Sequence, residues 1–350
     1  MELFGYTEAD LIQWALGRGA TAGSARVLAR ALLAESSGRP VHQRPAAALL
    51  RLARTELDAS LPRADAIPDP DGTVRFTVHL GDGNVVETVA IHQAVSKTRS
   101  RERWTVCLSS QVGCARGCVF CETGALGLIR NLTAAEIVAQ YAVAARYLGF
   151  NPPNVVFMGM GEPLDNLEAV LHAIAVLREP AGFAIAERRI TVSTVGIVSR
   201  MDELWTRSRA NLAVSLHAVD EATRRVLLPV ARRFTLADLR GAIERAPRPV
   251  LLQWTLIEGI NDSDDHADAL AGFARGLDVR VNLIPLNPGP DPRQKAPRLD
   301  RCRAFQKRLS TRGIRTLLRL PHGQSVSGAC GQLAGTRRLR APVRSSPEPP

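Results

Sequence analysis

At 350 residues, 45% of them hydrophobic and 23% charged, the chain has an ordinary globular composition with room for a substantial core. No apolar run is long enough to span a bilayer, and Met1 to Gly5 carry no basic segment ahead of an apolar stretch, so neither a membrane span nor a secretory leader is expected and the expected location is cytoplasmic. Forty-five Lys and Arg against 34 Asp and Glu give a net charge of +11, which favours a phosphate-rich partner such as nucleic acid or reflects an arginine-rich genome; charge alone leaves both open.

Along the chain, residues 8–16, 25–33 and 46–57 space their apolar residues as helices do, which predicts a helical accessory domain over 1–65. Two apolar, β-branched runs at 73–80 and 85–91 flank Gly81-Asp82-Gly83-Asn84 and read as a β-hairpin, with a polar linker at 99–103, so that 66–103 forms the second unit. From Trp104, strands expected at 105–110, 154–159, 188–194, 211–216, 250–257, 279–286 and 314–319 alternate with helices. These helices begin at Thr133, in the capping pattern Thr133-Ala134-Ala135-Glu136, and recur near 166–178, 199–207, 235–245, 264–275 and 298–311. Repeated βα units of this kind make a barrel or an open parallel sheet. No Gly-rich phosphate fingerprint follows the first strand, so a partial or full (β/α) barrel is expected over 104–335. The basic, Pro-rich end at 336–350 reads as a disordered tail.

The loop after the first barrel strand holds Cys114-Ala115-Arg116-Gly117-Cys118-Val119-Phe120-Cys121, three thiols in eight residues. Structural zinc would want a second ligand pair of similar spacing, and none exists. Six Cys in 350 residues are too sparse for a stapled secreted scaffold, so a reducing compartment is expected. Three thiolates suit an iron–sulfur cluster with one iron left open to a ligand. Strand ends expected beside this loop are polar: Gly161-Glu162, Ser193, Ser215-Leu216-His217 and Asn287. In a barrel such positions face the active site, and together they outline a pocket for a nucleoside-sized ligand. Gly161 would let backbone approach that ligand, Glu162 would accept from an ammonium group, His217 would form wall, and Met158 and Met160 would pack around a cofactor. Singly, each is as readily a cap, turn or core residue.

The Cys-x-x-x-Cys-x-x-Cys run with Phe120 resembles the radical S-adenosylmethionine (SAM) superfamily, and Gly161-Glu162 resembles its motif for the SAM amino group. Ser109 to Cys114, Arg130 to Thr133, Phe157 to Pro163, Ser193 to Gly196, Ser215 to Ala218 and Ala329-Cys330-Gly331-Gln332-Leu333 are similar to the RlmN/Cfr family of RNA adenine methyltransferases, from about Glu87 to Leu333. The resemblance implies a [4Fe-4S] cluster on Cys114, Cys118 and Cys121, SAM bound by Gly161, Glu162, Ser193, Ser215, Leu216, His217 and Asn287, and methylation of carbon 2 or carbon 8 of an adenine. It also implies 23S rRNA or tRNA as substrate and an electron donor such as flavodoxin or ferredoxin. In the family the residue matching Cys330 takes a methyl group from one SAM, its thiolate acting as nucleophile. A radical made from a second SAM then removes a hydrogen from that methyl, which adds to adenine. The residue matching Glu87 takes the ring proton, and Cys107 attacks the Cys330 sulfur, leaving a transient disulfide.

Ser325-Val326-Ser327-Gly328 stands where the family usually has an Asp-Ile-Asp-like run, Ala231 where it usually has Asn, and Glu122 where a small residue is usual. Cys302 matches no family position and reads as structural. Two other functions fit the same motifs: a radical SAM enzyme acting on another RNA or a small heteroaromatic molecule, and a non-catalytic RNA-binding protein that keeps a cluster for structure.

Overall fold

The computed structural model describes residues 2–95 and 100–334; Arg99 of the expected linker and the tail from 336 onward lie outside the described residues. In α1 (Glu8–Leu16), Thr7 and Asp10 cap each other's backbone N–H groups, which satisfies donors a helix start otherwise leaves open. Thr21 caps α2 (Ala22–Ser36), which extends the expected 25–33 span at both ends, and α3 (Ala47–Glu56) follows. The apolar faces of these helices meet in a core of their own, with Leu11, Trp14, Leu28, Leu32 and Leu57 buried in it.

The expected hairpin forms from β2 (Val74–His79) and β3 (Val85–Gln93), antiparallel with Val78 opposite Val86. A strand absent from the sequence reading, β1 (Ala64–Pro68), pairs along β2, so the expected boundary between 65 and 66 falls inside a strand. β1 is short and lies at an edge, with little apolar alternation to announce it. On its other side the hairpin joins β4 (Arg103–Cys107), which places Val89 opposite Cys107. The hairpin thus continues the main sheet; Val74, Phe76, Val86 and Val89 share the large core.

β4 is shorter than the expected 105–110 strand. Beyond Cys107 the chain turns at Ser109, whose N–H donates to Gln140 Oε1 (2.9 Å) and whose carbonyl accepts from Gln140 Nε2 (3.0 Å), so a buried side chain replaces a strand partner. β5 (Gln111–Cys114) then pairs with β6 (Gly127–Asn131) in a two-stranded sheet, with the single turn α4 (Glu122–Ala125) between them. α5 (Ala134–Leu148) carries the expected Thr133/Glu136 capping box. The parallel units follow as β7 (Asn154–Phe157), α6 (Leu167–Arg178), β8 (Ile190–Thr194), α7 (Val198–Arg207), β9 (Asn211–Ser215), α8 (Glu221–Leu227), α9 (Leu236–Glu244), β10 (Val250–Leu256), α10 (Asp264–Ala274), β11 (Val279–Pro285), α11 (Leu299–Thr311) and β12 (Thr316–Leu318). Helix α8 was not expected.

The main sheet runs β1-β2-β3-β4-β7-β8-β9-β10-β11-β12. Its joints from β1 to β4 are antiparallel and those from β4 to β12 parallel. With β1 and β12 at the edges, the described strands form an open, partial barrel, and the full barrel among the expected alternatives is not closed. β10 and β11 are buried along almost their whole length, as parallel strands covered by helices are. Trp254 of β10 is fully buried and packs on Phe305 of α11 with ring centroids 6.0 Å apart. A buried aromatic of this size contributes about 1.5–3 kcal/mol, so the core is apolar and the polar residues gather at the C-terminal strand ends.

Candidate active site

β5 delivers the first thiol. Its register shifts at Val112/Gly113, and Gly113 has φ +76° with the carbonyl oxygen of Gly127 only 1.9 Å from where a Cβ would sit, so only glycine fits. Cys114 ends β5 beneath this bulge, and the loop through Cys118 and Cys121 closes with the Cys121 N–H donating to the Cys118 carbonyl at 3.1 Å. Arg116 inside the loop reaches Asp165 with both arms of its guanidinium, Nε to Oδ2 at 2.6 Å. This bidentate pair ties the cysteine loop to the segment that follows Glu162. All three thiols line one cleft. Burial pushes Cys114 up to about 12 and raises Cys118 and Cys121 as well. Without a positive partner they are therefore held as thiols, and binding a metal group would release their protons.

Across the cleft, Glu162 is buried, and its carboxylate accepts from the N–H of Leu164 (3.0 Å) and of Val195 (2.8 Å). Burial outweighs these bonds and pushes its carboxyl up to about 7. Gly161 has φ +97°, and a Cβ there would come within 2.6 Å of the Gln111 side chain. The close approach expected toward a ligand is thus made first to Gln111, whose Oε1 accepts from the Glu162 N–H at 2.8 Å.

Ser193, Ser215, His217 and Asn287 line the same cleft from the ends of β8, β9 and the loop after β11. Leu216 is fully buried and lies behind it, its N–H donating to the Gln253 carbonyl (3.0 Å), so its side chain faces core rather than the cleft. His217 takes φ +58°, and its Nδ1 accepts from the Thr255 N–H at 2.9 Å, which leaves the ring proton on Nε2. Burial pulls it down to about 3, so it is a neutral wall, edge-on to Phe120 at 4.9 Å. The turn is held by Asn261, a residue sequence reading missed, whose Nδ2 donates to the carbonyls of His217 (2.8 Å) and Thr255 (2.7 Å). Met158 lines the cleft, whereas Met160 is buried beneath the hairpin and accepts from the Glu87 N–H.

Cys330 reaches this cleft from the C-terminal loop and also lines an adjoining cavity together with Cys107. Two thiols far apart in sequence thus share one space. Burial, reinforced by the neighbouring Cys330, pushes Cys107 far above the usual thiol range; Cys330, a residue exposed to solvent on the loop surface, has its thiol raised by the groups packed around it, and Arg319 on the cavity wall opposes that rise. Glu87 is fully buried, ion-paired with Arg75, and its Oε2 accepts from the Ala334 N–H at 2.6 Å. It touches the Cys330 loop but lines neither the cleft nor the adjoining cavity. Cys302 is buried on α11 with its thiol toward the Pro297 carbonyl.

Residues 108–270 match the Radical SAM superfamily. The solved structure of a radical SAM methyltransferase from Sphaerobacter thermophilus aligns with a TM-score of 0.85 and 37% identity, covering 95% of this chain and 99% of that one. The partial barrel with its three-thiol loop is therefore that of a radical SAM enzyme. A probable RNA methyltransferase of Sorangium cellulosum is 47% identical, covering 90% of this chain and 77% of its own. The dual-specificity RNA methyltransferase RlmN of Syntrophobacter fumaroxidans is 40% identical, covering 94% of this chain and 96% of its own. The chain belongs to the RlmN/Cfr-like family of radical SAM RNA methyltransferases.

The cleft fits the group this family carries. Among the described residues no three of His, Cys, Asp and Glu are grouped to hold a single metal ion. The thiols of Cys114, Cys118 and Cys121 line one cleft, and three thiolates are a donor set that would hold a [4Fe-4S] cluster. Among the described residues no helix is long and apolar enough to cross a membrane.

Proposed function

We propose that the protein methylates a ring carbon of adenine, carbon 2 or carbon 8, in 23S rRNA or tRNA, using Cys330 as methyl carrier. The observation that supports this reading most is the double placement of Cys330, on the three-thiol cleft and on the cavity it shares with Cys107. Cys114, Cys118 and Cys121 hold the cluster, which with SAM supplies a hydrogen-abstracting radical. Glu162 faces the cationic end of SAM, Ser193, Ser215 and Asn287 offer hydrogen bonds to it, and neutral His217 shapes the wall.

Cys330 accepts a methyl group through its thiolate and presents the resulting thioether to the cleft. Glu87 takes the ring proton of the adduct; to do so its Oε2 exchanges the Ala334 N–H for the substrate. Cys107 then attacks the Cys330 sulfur. The new S–S bond forms as the sulfur–carbon bond breaks, and the carbon leaves with the electron pair and takes up a proton to become the methyl group; the unpaired electron of the radical adduct would return to the cluster. The basic surface favours RNA, helices 1–65 act as an accessory domain, and a small electron-transfer protein such as flavodoxin or ferredoxin reduces the cluster in the cytoplasm.

The test is mass spectrometry of Cys330 after anaerobic reconstitution and exposure to SAM, followed by nucleoside analysis of RNA incubated with protein, SAM and reductant. Methyl-Cys330 together with a new methyladenosine is the expected result and names the carbon. RNA methylation retained by Cys330→Ala overturns the reading.

A further inference from the structure

We propose that Asp69 and Asp71, on the turn between β1 and β2, are positioning residues for Cys330, holding residues 322–325 against the hairpin so that the thiol stands within reach of Cys107. The proposal rests on the reading of Cys330 as methyl carrier and extends it to residues outside the cleft.

Each aspartate divides its two oxygens between two tasks. Asp69 Oδ1 accepts from the Asp71 N–H (3.0 Å) and Asp71 Oδ1 from the Thr73 N–H (2.8 Å), which shapes the turn. The other oxygens leave the turn. Asp69 Oδ2 accepts from the Ser325 hydroxyl (2.6 Å) and N–H (3.0 Å), while Asp71 Oδ2 accepts from the Gly323 N–H (3.0 Å) and lies 3.2 Å from His322 Nδ1. The turn needs only the first oxygens; the second ones serve the loop.

That loop is closed on itself and fastened at both ends. The Gly328 N–H donates to the Gly323 carbonyl (2.8 Å), and a Cβ on Gly323 would lie 3.0 Å from the Thr73 side chain, so the loop backbone rests directly on the hairpin. Downstream of Cys330, the Gly331 carbonyl accepts from the Glu122 N–H (2.7 Å) and the Leu333 carbonyl from Thr123 Oγ1 (2.6 Å). Upstream, the last strand ends at Leu318. Release of the aspartate contacts would loosen residues 322–325, leaving the Asn287 amide to hold Gln324 and the Cys330 carbonyl, and so lower the effective concentration of Cys330 at Cys107.

The test separates exposure from position. Anaerobically reconstituted full-length protein is treated with glutathione disulfide and followed by intact and peptide mass. Cys330 first exchanges with glutathione disulfide, releasing one glutathione; Cys107 then attacks that mixed disulfide, forming the Cys107–Cys330 bond and releasing the second. Asp69→Ala is expected to slow the second step about tenfold and leave the first unchanged. Ser325→Ala, which keeps the backbone bond, slows it less. The double variant is no slower than Asp69→Ala, because the hydroxyl bond lost in Ser325→Ala is already lost in Asp69→Ala, and Asp69→Asn, which keeps one of the two acceptor oxygens, restores part of the rate. A second step at the original rate in Asp69→Ala, additive effects in the double variant, or glutathione appearing on buried Cys302 along with the slowing each overturn the proposal. If the glutathione result is as expected but Cys330 never gains a methyl group from SAM, the methyl-carrier reading fails and the positioning contact stands.

Discussion

Asn287 and Cys330 are joined directly: Asn287 Nδ2 donates to the Cys330 carbonyl at 3.1 Å, while its Oδ1 accepts from Gln324 Nε2 at 3.0 Å. One side-chain amide, just beyond β11, thus holds the Cys330 loop from two sides. An amide has a second N–H and a second lone pair, so this duty is compatible with a hydrogen bond to a ligand in the cleft. Asn287→Ala leaves a partly buried carbonyl without this donor, a cost of about 1 kcal/mol. The expected outcome is a several-fold fall in the methylated fraction of Cys330 that exceeds any loss of SAM cleavage, read by peptide mass and by release of the SAM fragment. Equal losses of both would place Asn287 on SAM alone.

Cys107→Ala removes the only other thiol of the Cys330 cavity among the described residues. Methylation of Cys330 should continue while product release stops, so a covalent protein–RNA species accumulates on denaturing gels, sensitive to nuclease and resistant to reductant. Normal turnover in this variant would contradict the resolving role.

The parallel strands and the polar residues at their ends were legible because β-branched runs and a polar stop recur with each unit, as at Ile190–Thr194 and Asn211–Ser215. Less legible were elements whose partners are distant. β5 is four residues including an obligatory glycine and shows no alternation. Helix α8 contains Arg224, which reads as a solvated charge yet is fully buried, donating to the carbonyls of Val195 and Phe234. Asn261 was invisible for the same reason: its bonds run back to His217 and Thr255, and no local pattern marks a buried amide that holds a turn. Glu87 drew attention through the family resemblance alone; as a lone charge on a strand it gave no sign of the Arg75 beneath it.

Arg116 and Asp165 make a further prediction. Their pair is partly buried and two-pronged, and Lys can supply only a point charge in place of the fork. Arg116→Lys is therefore expected to loosen the Cys114–Cys121 loop and lower iron retained after reconstitution by roughly half or more, with a small change in unfolding midpoint. Iron and sulfide analysis on the two proteins, reconstituted side by side, checks this; unchanged iron content would mean the loop holds its shape without the pair.

Glu162 gives a pH dependence whose sign follows from its burial. Its carboxyl is raised from 4.5 to about 7 in the folded chain. Between those values the folded state holds a proton that the unfolded state has lost, so this group makes stability fall as pH rises through that window and leaves it flat above about 7. The size is about 3 kcal/mol, since each tenfold change in proton affinity is worth about 1.4 kcal/mol. Glu162→Gln keeps the shape without the charge and is expected to abolish that part of the slope in the cluster-free protein, so that wild type and variant diverge as pH rises from 5 to 7 in denaturant titrations. Because a bound cation favours the carboxylate, SAM binding near neutral pH should release a proton from wild type and not from the variant, measurable as a buffer-dependent heat. Parallel stability curves for the two proteins would show that the carboxyl is ionised throughout, and that the Leu164 and Val195 N–H groups outweigh its burial.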